Sequence, residues 1–204
     1  MHYAPDSETC PLPFSPFKAC TVPRPIGWLS TISADGVHNL APYSQWQNLT
    51  FDPPMVMFCT NGPHKEGPLK DSRINAEETG EFVVNLASYD LREQMNESSR
   101  HVERDVDEMA LAGLEAAPCN LIKAPRVKEA AANLECVYLQ TVEMPSWNPE
   151  HVNSMVIGEV VGIHIRDDVI TGDRVDITKI RPLARMGYLD YAVVNEVFTM
   201  KRPR

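Results

Sequence analysis

Residues 39–54 have the sequence NLAPYSQWQNLTFDPP, which indicates a strand, a polar rim and then a second strand after a proline turn. Pro53 and Pro54 remove two backbone N–H donors and disfavour helical geometry in the preceding residue, so the first strand must end before them. The apolar run at 55–59 predicts a short strand that is buried on both faces. The segment therefore indicates a β-sheet whose edge carries polar side chains.

The pattern of the whole chain predicts six strands, at residues 24–33, 37–46, 55–59, 81–87, 134–144 and 155–165. Helices are predicted at 68–79, ending at Gly80, and at 89–99, whereas 181–188 is expected to be a compact loop. Gly158 and Gly162 predict bulges in the last strand. Because strands do not alternate regularly with crossover helices, the predicted fold class is mainly β: an antiparallel barrel with a few peripheral helices.

Length and composition fit a single domain that follows an N-terminal arm. The segment 1–23 contains five prolines and resists regular structure, so we expect an arm there and one domain at 24–204. The net charge of −9 opposes broad attraction to nucleic acid or to anionic lipid. The longest apolar runs are too short to cross a bilayer, so we expect no membrane contact. The five cysteines form no CxxC pair and the N-terminus has no signal-peptide pattern, which together predict a cytoplasmic protein.

The sequence contains no motif for a metal site, for a catalytic nucleophile or for a nucleotide-binding fold. The six histidines show no metal-ligand spacing, and no cysteine pair accompanies them, so the motif search predicts no metal. There is no GxSxG elbow for a nucleophile, and neither GxGxxG nor a P-loop occurs. A nicotinamide cofactor would therefore have to lie directly on another ring.

Polar side chains are concentrated at strand ends and at one predicted helix start. They are Ser30 and Thr31 in the first strand, Ser44, Gln45 and Asn48 at the rim, Thr60 after the buried strand, and Lys70, Asp71 and Ser72 at the helix. A helix start favours a phosphate, which Lys and Ser side chains can complete, and amides suit the edge of a polar ring. The residues alone leave open ordinary polar strand ends beside a solvated helix start.

The sequence resembles the flavin reductase-like family, the FMN-binding split-barrel flavoproteins. The matching segments, in order, are 24–31 (RPIGWLST), 39–44 (NLAPYS), 52–58 (DPPMVMF), 70–72 (KDS), 78–85 (ETGEFVVN), 134–136 (LEC), 157–162 (IGEVVG) and 181–187 (RPLARMG). The resemblance implies a six-stranded Greek-key split barrel, a homodimer and one FMN per subunit near the dimer interface. The chain departs from the family in having KDS where KDT is commoner, and in an insertion at 62–68.

The resemblance also assigns cofactor contacts to particular residues. The isoalloxazine ring and the ribityl chain would be approached by Ser44, Gln45, Trp46 and Asn48. The phosphate would lie toward Ser30, Thr31, Lys70, Asp71 and Ser72, with Arg24 a weaker candidate. Family members place a C-terminal segment near the flavin, from the same or the other subunit, and here it contains Arg185 and Tyr191.

The resulting hypothesis is a flavin-dependent oxidoreductase in which NAD(P)H reduces bound flavin and electrons pass to a small-molecule substrate or a redox partner protein. Since the flavin carries the chemistry, no catalytic side chain is expected. One alternative is a flavoredoxin-like electron carrier without NAD(P)H activity of its own. Another is a barrel that binds haem or another small molecule without a redox role. The sequence leaves the choice between NADH and NADPH open.

Overall fold

The computed structural model describes residues 2–5 and 10–203, and its main feature is an antiparallel sheet of seven strands. In chain order the strands are β1 (Gly27–Ile32), β2 (His38–Tyr43), β3 (Trp46–Phe51), β4 (Pro54–Thr60), β5 (Glu81–Leu86), β6 (Ala132–Met144) and β7 (Asn153–Ile165). Their spatial order is β2-β1-β5-β6-β7-β4-β3. The two edge strands, β2 and β3, are joined only by Ser44 and Gln45, so the sheet must curl until its edges approach each other.

A second, three-stranded sheet lies beside the ends of the first. Its strands are Arg24–Pro25, β8 (Leu183–Gly187) and β9 (Asp190–Val193), with β8 in the middle. Two smaller ladders pair Ala116–Ala117 with Arg126–Val127 and Ile170–Thr171 with Arg174–Val175. The pairing of Arg24 with Arg185 brings the C-terminal segment against the start of the barrel.

Short helices occupy the periphery of the barrel. They are α1 (Phe17–Cys20), α2 (Asp71–Thr79), α3 (Arg92–Glu97), α4 (Glu108–Leu111) and α5 (Ile177–Ile180), with 3-10 turns at Tyr89–Leu91 and Asp167–Val169. α2 ends at Gly80, whose φ of 77° is readily adopted only by glycine, as the sequence predicts. Within the described residues, no helix has the length and apolar character needed to cross a bilayer.

The core lies on both sides of β1, whose side chains alternate between two clusters. Leu29 points into the barrel, where it belongs to a cluster with Phe58, Phe82 and Val156. Trp28 points outward and packs under the helices in the cluster that includes Leu40, Met95 and Met109. Burial on both faces is thus found along β1. It was predicted for residues 55–59, and there it is wrong: in β4 Val56 and Phe58 are buried, whereas Met55, Met57 and Cys59 are only partly buried, because one face of β4 packs on the core.

The mainly β fold class is confirmed, and so are the bulges, because the β6–β7 register shifts between Ile157 and Gly158 and between Val160 and Gly162. The count of six strands is wrong, since residues 46–51 form β3 rather than a polar rim: the turn at Asp52 supplies β4 as a ladder partner. The prediction of a loop at 181–188 is also wrong, because β8 pairs with Arg24–Pro25, which is distant in sequence, and with β9, which follows it directly. Within the predicted arm, α1 is helical and residues 1 and 6–9 lie outside the described part.

Candidate functional site

Two adjoining cavities open beside the connection between the two edge strands of the barrel. The wide cavity, of about 380 Å³, is lined by Ser44 and Gln45 among others, and the narrow cavity has a volume of about 190 Å³. Pro42, Tyr43 and Ser99 line both, so we treat the two cavities together as one groove. Its size is that of a small-molecule site, for which pockets of roughly 300–1,000 Å³ are usual.

Basic and aromatic side chains converge on the wide cavity. The Arg24 guanidinium donates from Nε to Ser44 Oγ at 3.4 Å, and Arg24 lies opposite Arg185 in the ladder. The Arg185 guanidinium carbon lies 4.4 Å from the centre of the Tyr191 ring, a cation–π distance. The wide cavity can therefore offer a hydroxyl, two cations and an aromatic ring to one ligand.

The narrow cavity is lined by hydroxyl groups and one lysine at the start of α2. Ser72 Oγ donates to Asn39 Oδ1 at 2.9 Å and accepts from the Tyr43 hydroxyl at 3.2 Å. Burial raises the pKa of Tyr43 to about 12, so this hydroxyl remains a donor at neutral pH. Lys70 Nζ donates to Pro63 O at 2.7 Å, and burial lowers the pKa of Lys70. An ammonium has three donors, so Lys70 retains capacity for a ligand.

Two buried carboxyl groups share the narrow cavity with these donors. Asp71 is paired with His64 at 3.1 Å and with Arg104 at 2.8 Å. Burial raises the pKa of Asp71, and the charges of His64 and Arg104 oppose that shift. Burial also raises the pKa of Glu108, to about 7. The negative charge of the cavity is thus partly balanced by cations and partly removed by protonation.

Most of the residues predicted to contact a ligand line this groove. The wide cavity is lined by Ser44, Gln45, Arg185 and Tyr191, together with the weaker candidate Arg24. The narrow cavity is lined by Lys70, Asp71 and Ser72. Segments that are more than 100 residues apart in sequence therefore meet in one place.

Ser30 and Thr31 lie inside the protein rather than on the groove. Ser30 is fully buried and donates to Pro125 O at 2.6 Å. Thr31 is also fully buried; it accepts from Asn75 Nδ2 at 3.0 Å and donates to Asn39 Oδ1 at 3.3 Å. Thr31 thus supports the wall that carries Ser72, while neither residue lines the two cavities.

Trp46, Asn48 and Thr60 do not line the groove cavities either. Trp46 packs against the barrel core, with its Nε1 buried and without a hydrogen-bond partner among the described residues. Asn48 is exposed on β3. Thr60 is buried, with its Oγ1 2.7 Å from Ser154 Oγ. The alternation of β4 explains the position of Thr60, which shares the inward face with Val56 and Phe58.

Other groove residues were not identified from the sequence. The segment after α3 contributes Ser98, Ser99, Arg100 and His101 to the narrow cavity. Its run of hydroxyl and basic residues, SSRH at 98–101, is the signal that could have indicated it. At the wide cavity the unpredicted residue is Tyr188, whose φ of 47° is uncommon for a non-glycine residue.

An apolar cavity of about 250 Å³ adjoins the wide cavity. Met95, Asn96 and Tyr191 line both of them, and Tyr89 and Leu183 are among its other walls. Arg92 lies over the Tyr89 ring at 4.2 Å from its centre. The groove thus continues from a polar end to an apolar end.

The curled antiparallel sheet, with a polar groove at its open edge, places the chain among the antiparallel β-barrel proteins. The family model described as "Flavin reductase like domain" matches residues 19–183 of the chain. The chain belongs to this flavin reductase-like family, as its sequence motifs predict. The family assignment is confirmed by a match that covers most of the groove-forming residues.

Individual relatives agree with this assignment. An uncharacterized protein of Aquifex aeolicus is 35% identical over 167 residues, which are 81% of this chain and 82% of that protein. The crystal structure of nitrilotriacetate monooxygenase component B from Bacillus cereus is similar, with a TM-score of 0.86 and 27% identity over 98% of each chain. A split barrel domain protein from Shewanella frigidimarina has a TM-score of 0.79 and 20% identity, covering 92% of this chain and 90% of that one. The split-barrel fold is thereby confirmed.

Proposed function

We propose that the chain binds FMN in the groove and acts as an NAD(P)H-dependent flavin oxidoreductase. The observation that carries the proposal is the convergence of Ser44, Lys70, Ser72 and Arg185 on one groove in a member of the flavin reductase-like family. When bound, FMN supplies the hydride and electron chemistry, so the protein needs to bind and orient it rather than provide an acid–base pair.

The wide cavity fits the ring of such a cofactor. The Ser44 hydroxyl and the Gln45 amide offer both donors and acceptors to a heterocycle edge. Arg24 and Arg185 place positive charge beside that position, which favours an electron-rich ring. The Tyr191 ring, held against Arg185, adds an apolar surface on which a planar group can pack.

The narrow cavity fits the phosphate. Lys70 and Arg100 are cations, and Ser72 and Ser99 carry hydroxyls, which together match the donors that a phosphate requires. Asp71 would repel a phosphate, but its ion pairs with His64 and Arg104 offset that charge. The insertion at 62–68 therefore contributes to the cavity through His64.

We also propose that the protein is a homodimer. The outward face of the β6–β7 hairpin is exposed and apolar at Val137, Leu139, Val161, Ile163 and Ile165. Several exposed apolar side chains on one strand pair are typical of an association site. Sedimentation should give twice the chain mass, and Ile163→Glu should give the mass of one chain; a monomeric wild-type protein would contradict the dimer.

The proposed reaction is cytoplasmic, which the five free cysteines support, since thiols persist in a reducing compartment. The electrons would leave to a small-molecule substrate or to a redox partner protein. The alternative of a flavoredoxin-like carrier shares the same FMN site and differs only in how the flavin is reduced. A haem-binding barrel differs in the cofactor itself.

A visible spectrum of the purified protein tests the proposal. We expect a flavin spectrum, or its appearance on adding FMN, with micromolar to nanomolar affinity, which corresponds to about 8–12 kcal/mol. Anaerobic NADH or NADPH should then bleach the flavin bands. Rapid bleaching supports the oxidoreductase and its absence supports the carrier, whereas a haem spectrum or no uptake of FMN would refute flavin binding.

A further inference from the structure

Three side chains with metal-binding atoms meet at a place away from the groove. They are Cys119, in the loop after Ala116–Ala117, Glu135 on β6 and His164 on β7. The cysteine sulfur, a carboxylate oxygen and an imidazole nitrogen all lie within 4.8 Å of one another. None of the three residues lines either groove cavity, so this cluster is separate from the proposed FMN site.

The fold holds the carboxylate of this cluster firmly in place. Glu135 is 1% exposed, and its two oxygens accept from Asn120 N at 2.9 Å and from Leu121 N at 2.7 Å. These two bonds anchor the loop immediately after Cys119, so the thiol is brought to the carboxylate by backbone contacts. Gly162 leaves the space that Glu135 occupies, because a Cβ there would lie 3.1 Å from the carboxylate carbon.

His164 completes the cluster by contacting the same carboxylate. Its Nε2 lies 2.5 Å from Glu135 Oε1, and its side chain is 20% exposed. Burial opposes ionisation of Glu135, but the Asn120 and Leu121 N–H groups and His164 together keep the pKa of Glu135 below its usual value. The cluster therefore presents a buried carboxylate, an imidazole that solvent can reach and an adjacent thiol.

A cysteine beside a histidine and a carboxylate could also serve as a nucleophile, but the surroundings of this thiol oppose that role. Burial, together with the charge of Glu135, raises the pKa of Cys119 to about 12. A nucleophilic cysteine requires the opposite, a lowered pKa in electropositive surroundings. A bound divalent cation, by contrast, deprotonates a coordinating thiol outright.

We propose that Cys119, Glu135 and His164 form a site for one divalent transition-metal ion of the zinc class. Thiolate and imidazole ligands select such ions over Mg²⁺ and Ca²⁺, which prefer oxygen ligands. Tetrahedral bonds of about 2.0–2.3 Å place ligand atoms roughly 3.3–3.8 Å apart. Rotation of the partly exposed Cys119 and His164 side chains can close the longer ligand separations by about 1 Å and move His164 Nε2 away from Glu135 Oε1, which lies 2.5 Å from it. Three protein ligands leave the fourth position for water or an exogenous ligand.

Cobalt titration tests this site, because Co²⁺ occupies zinc sites and a thiolate ligand gives it a near-ultraviolet charge-transfer band. Reduced protein, freed of metal with a chelator and carrying its flavin, would be titrated with Co²⁺ and recorded as difference spectra. We expect one equivalent of Co²⁺ per chain, a thiolate charge-transfer band, and displacement of the Co²⁺ by Zn²⁺.

Two variants and one control make the test specific. Cys119→Ser should abolish the charge-transfer band and weaken Co²⁺ binding by more than the roughly 10–100-fold typical of losing an outer-shell partner. His164→Gln should weaken binding similarly while retaining a band. Cys20→Ser, an exposed cysteine outside the cluster, should bind Co²⁺ as the wild-type chain does.

The proposal would be overturned by wild-type protein that binds no stoichiometric Co²⁺, or by Cys119→Ser protein that retains the full charge-transfer band. Flavin content, measured by absorbance in every sample, reports separately on the proposed function. Its retention in Cys119→Ser would confirm that a loss of Co²⁺ binding is not a loss of fold.

Discussion

The side-chain amide of Asn39 donates to Glu108 Oε1 at 3.0 Å, while the backbone N–H of Leu40 donates to the other carboxylate oxygen at 3.0 Å. Both bonds lie beside the narrow cavity, which Asn39 and Glu108 line together. Glu108 is 5% exposed, so its ionisation is linked to the stability of the fold and to the charge that a phosphate would meet.

The first prediction concerns pH. The pKa of Glu108 in the folded protein is about 7, above its ordinary value of 4.5. Between these values the folded protein binds more protons than the unfolded chain, so this group's contribution to stability falls as pH rises from 4.5 to 7 and then levels off. Glu108→Gln, which resembles the neutral acid, should lose this pH-dependent change in stability, which is on the order of 3 kcal/mol for a shift from 4.5 to about 7.

Urea unfolding at a series of pH values measures this difference. Asp71 also has a raised pKa, but it is present in both proteins and largely cancels in the comparison. Glu150→Gln, at an exposed turn, is the control and should follow the wild type. FMN affinity should also fall above pH 7 more steeply in the wild type than in Glu108→Gln. Parallel stability curves for wild type and Glu108→Gln would contradict the prediction.

A second prediction concerns the contact between Gly27 and Trp46. A Cβ at Gly27 would lie 2.5 Å from Trp46 Cγ and 2.9 Å from Trp46 Cβ. Gly27→Ala should therefore destabilise the protein by about 1–3 kcal/mol through overpacking of the barrel wall. Combining it with Trp46→Ala, which removes Trp46 Cγ and Cδ1 from this contact, should cost less than the sum of the two single changes in urea unfolding. Strict additivity would show that the two residues do not compete for space.

A third prediction compares the effects on stability and on FMN affinity of replacing a buried serine, Ser30, and a serine that lines the groove, Ser72. Ser30→Ala leaves Pro125 O without its donor, so it should lower stability by about 1–3 kcal/mol and leave FMN affinity unchanged. Ser72→Ala should weaken FMN binding roughly 10-fold or more, since hydrogen bonds to charged groups contribute about 1.5–3 kcal/mol. Fluorescence titration with FMN and thermal unfolding of both variants measure the contrast. Similar FMN affinities in the two variants would place the phosphate elsewhere.

A fourth prediction concerns Arg185, whose guanidinium stacks on Tyr191 at the wide cavity. Arg185→Gln should lower FMN affinity about 10-fold, because the charge beside the ring is lost, with little change in melting temperature for a partly exposed side chain. Arg174→Gln is the matched control, since the Arg174 side chain is 86% exposed and lies outside the groove. Equal affinity of the two variants for FMN would remove Arg185 from the site.

Local patterns in the sequence were sufficient to predict several features of the barrel. Glycine marks these features, because it adopts backbone conformations that other residues rarely adopt. Gly80 has a left-handed conformation at the end of α2, and Gly158 and Gly162 lie at the bulges of β7. Strand β8 could not be predicted in this way, because it lies in the middle of its sheet and one of its two partners is Arg24–Pro25, at the other end of the domain sequence. A strand is stabilised by its partners, and distant partners leave no local signal.

Some of the predicted site residues line the groove, whereas others are buried inside the protein. Ser44 and Ser72 are polar residues next to strand or helix ends, where side chains reach solvent, and both line the groove. Ser30 and Thr60 have the same polarity but point inward, where they satisfy Pro125 O and Ser154. Polarity alone does not distinguish a ligand contact from a buried hydrogen bond, since both require the same atoms.

By itself the sequence determined the mainly β class, the family and the chemical character of the groove, because periodicity, turn residues and motif order are local properties of a chain. Only the tertiary structure decided which polar residues share a cavity, and that Cys119, Glu135 and His164 lie within 4.8 Å of one another. Those three residues come from a loop and two strands that are joined by β6–β7 pairing and by loop contacts. Such proximity depends on the packing of distant segments, which no spacing along the chain records.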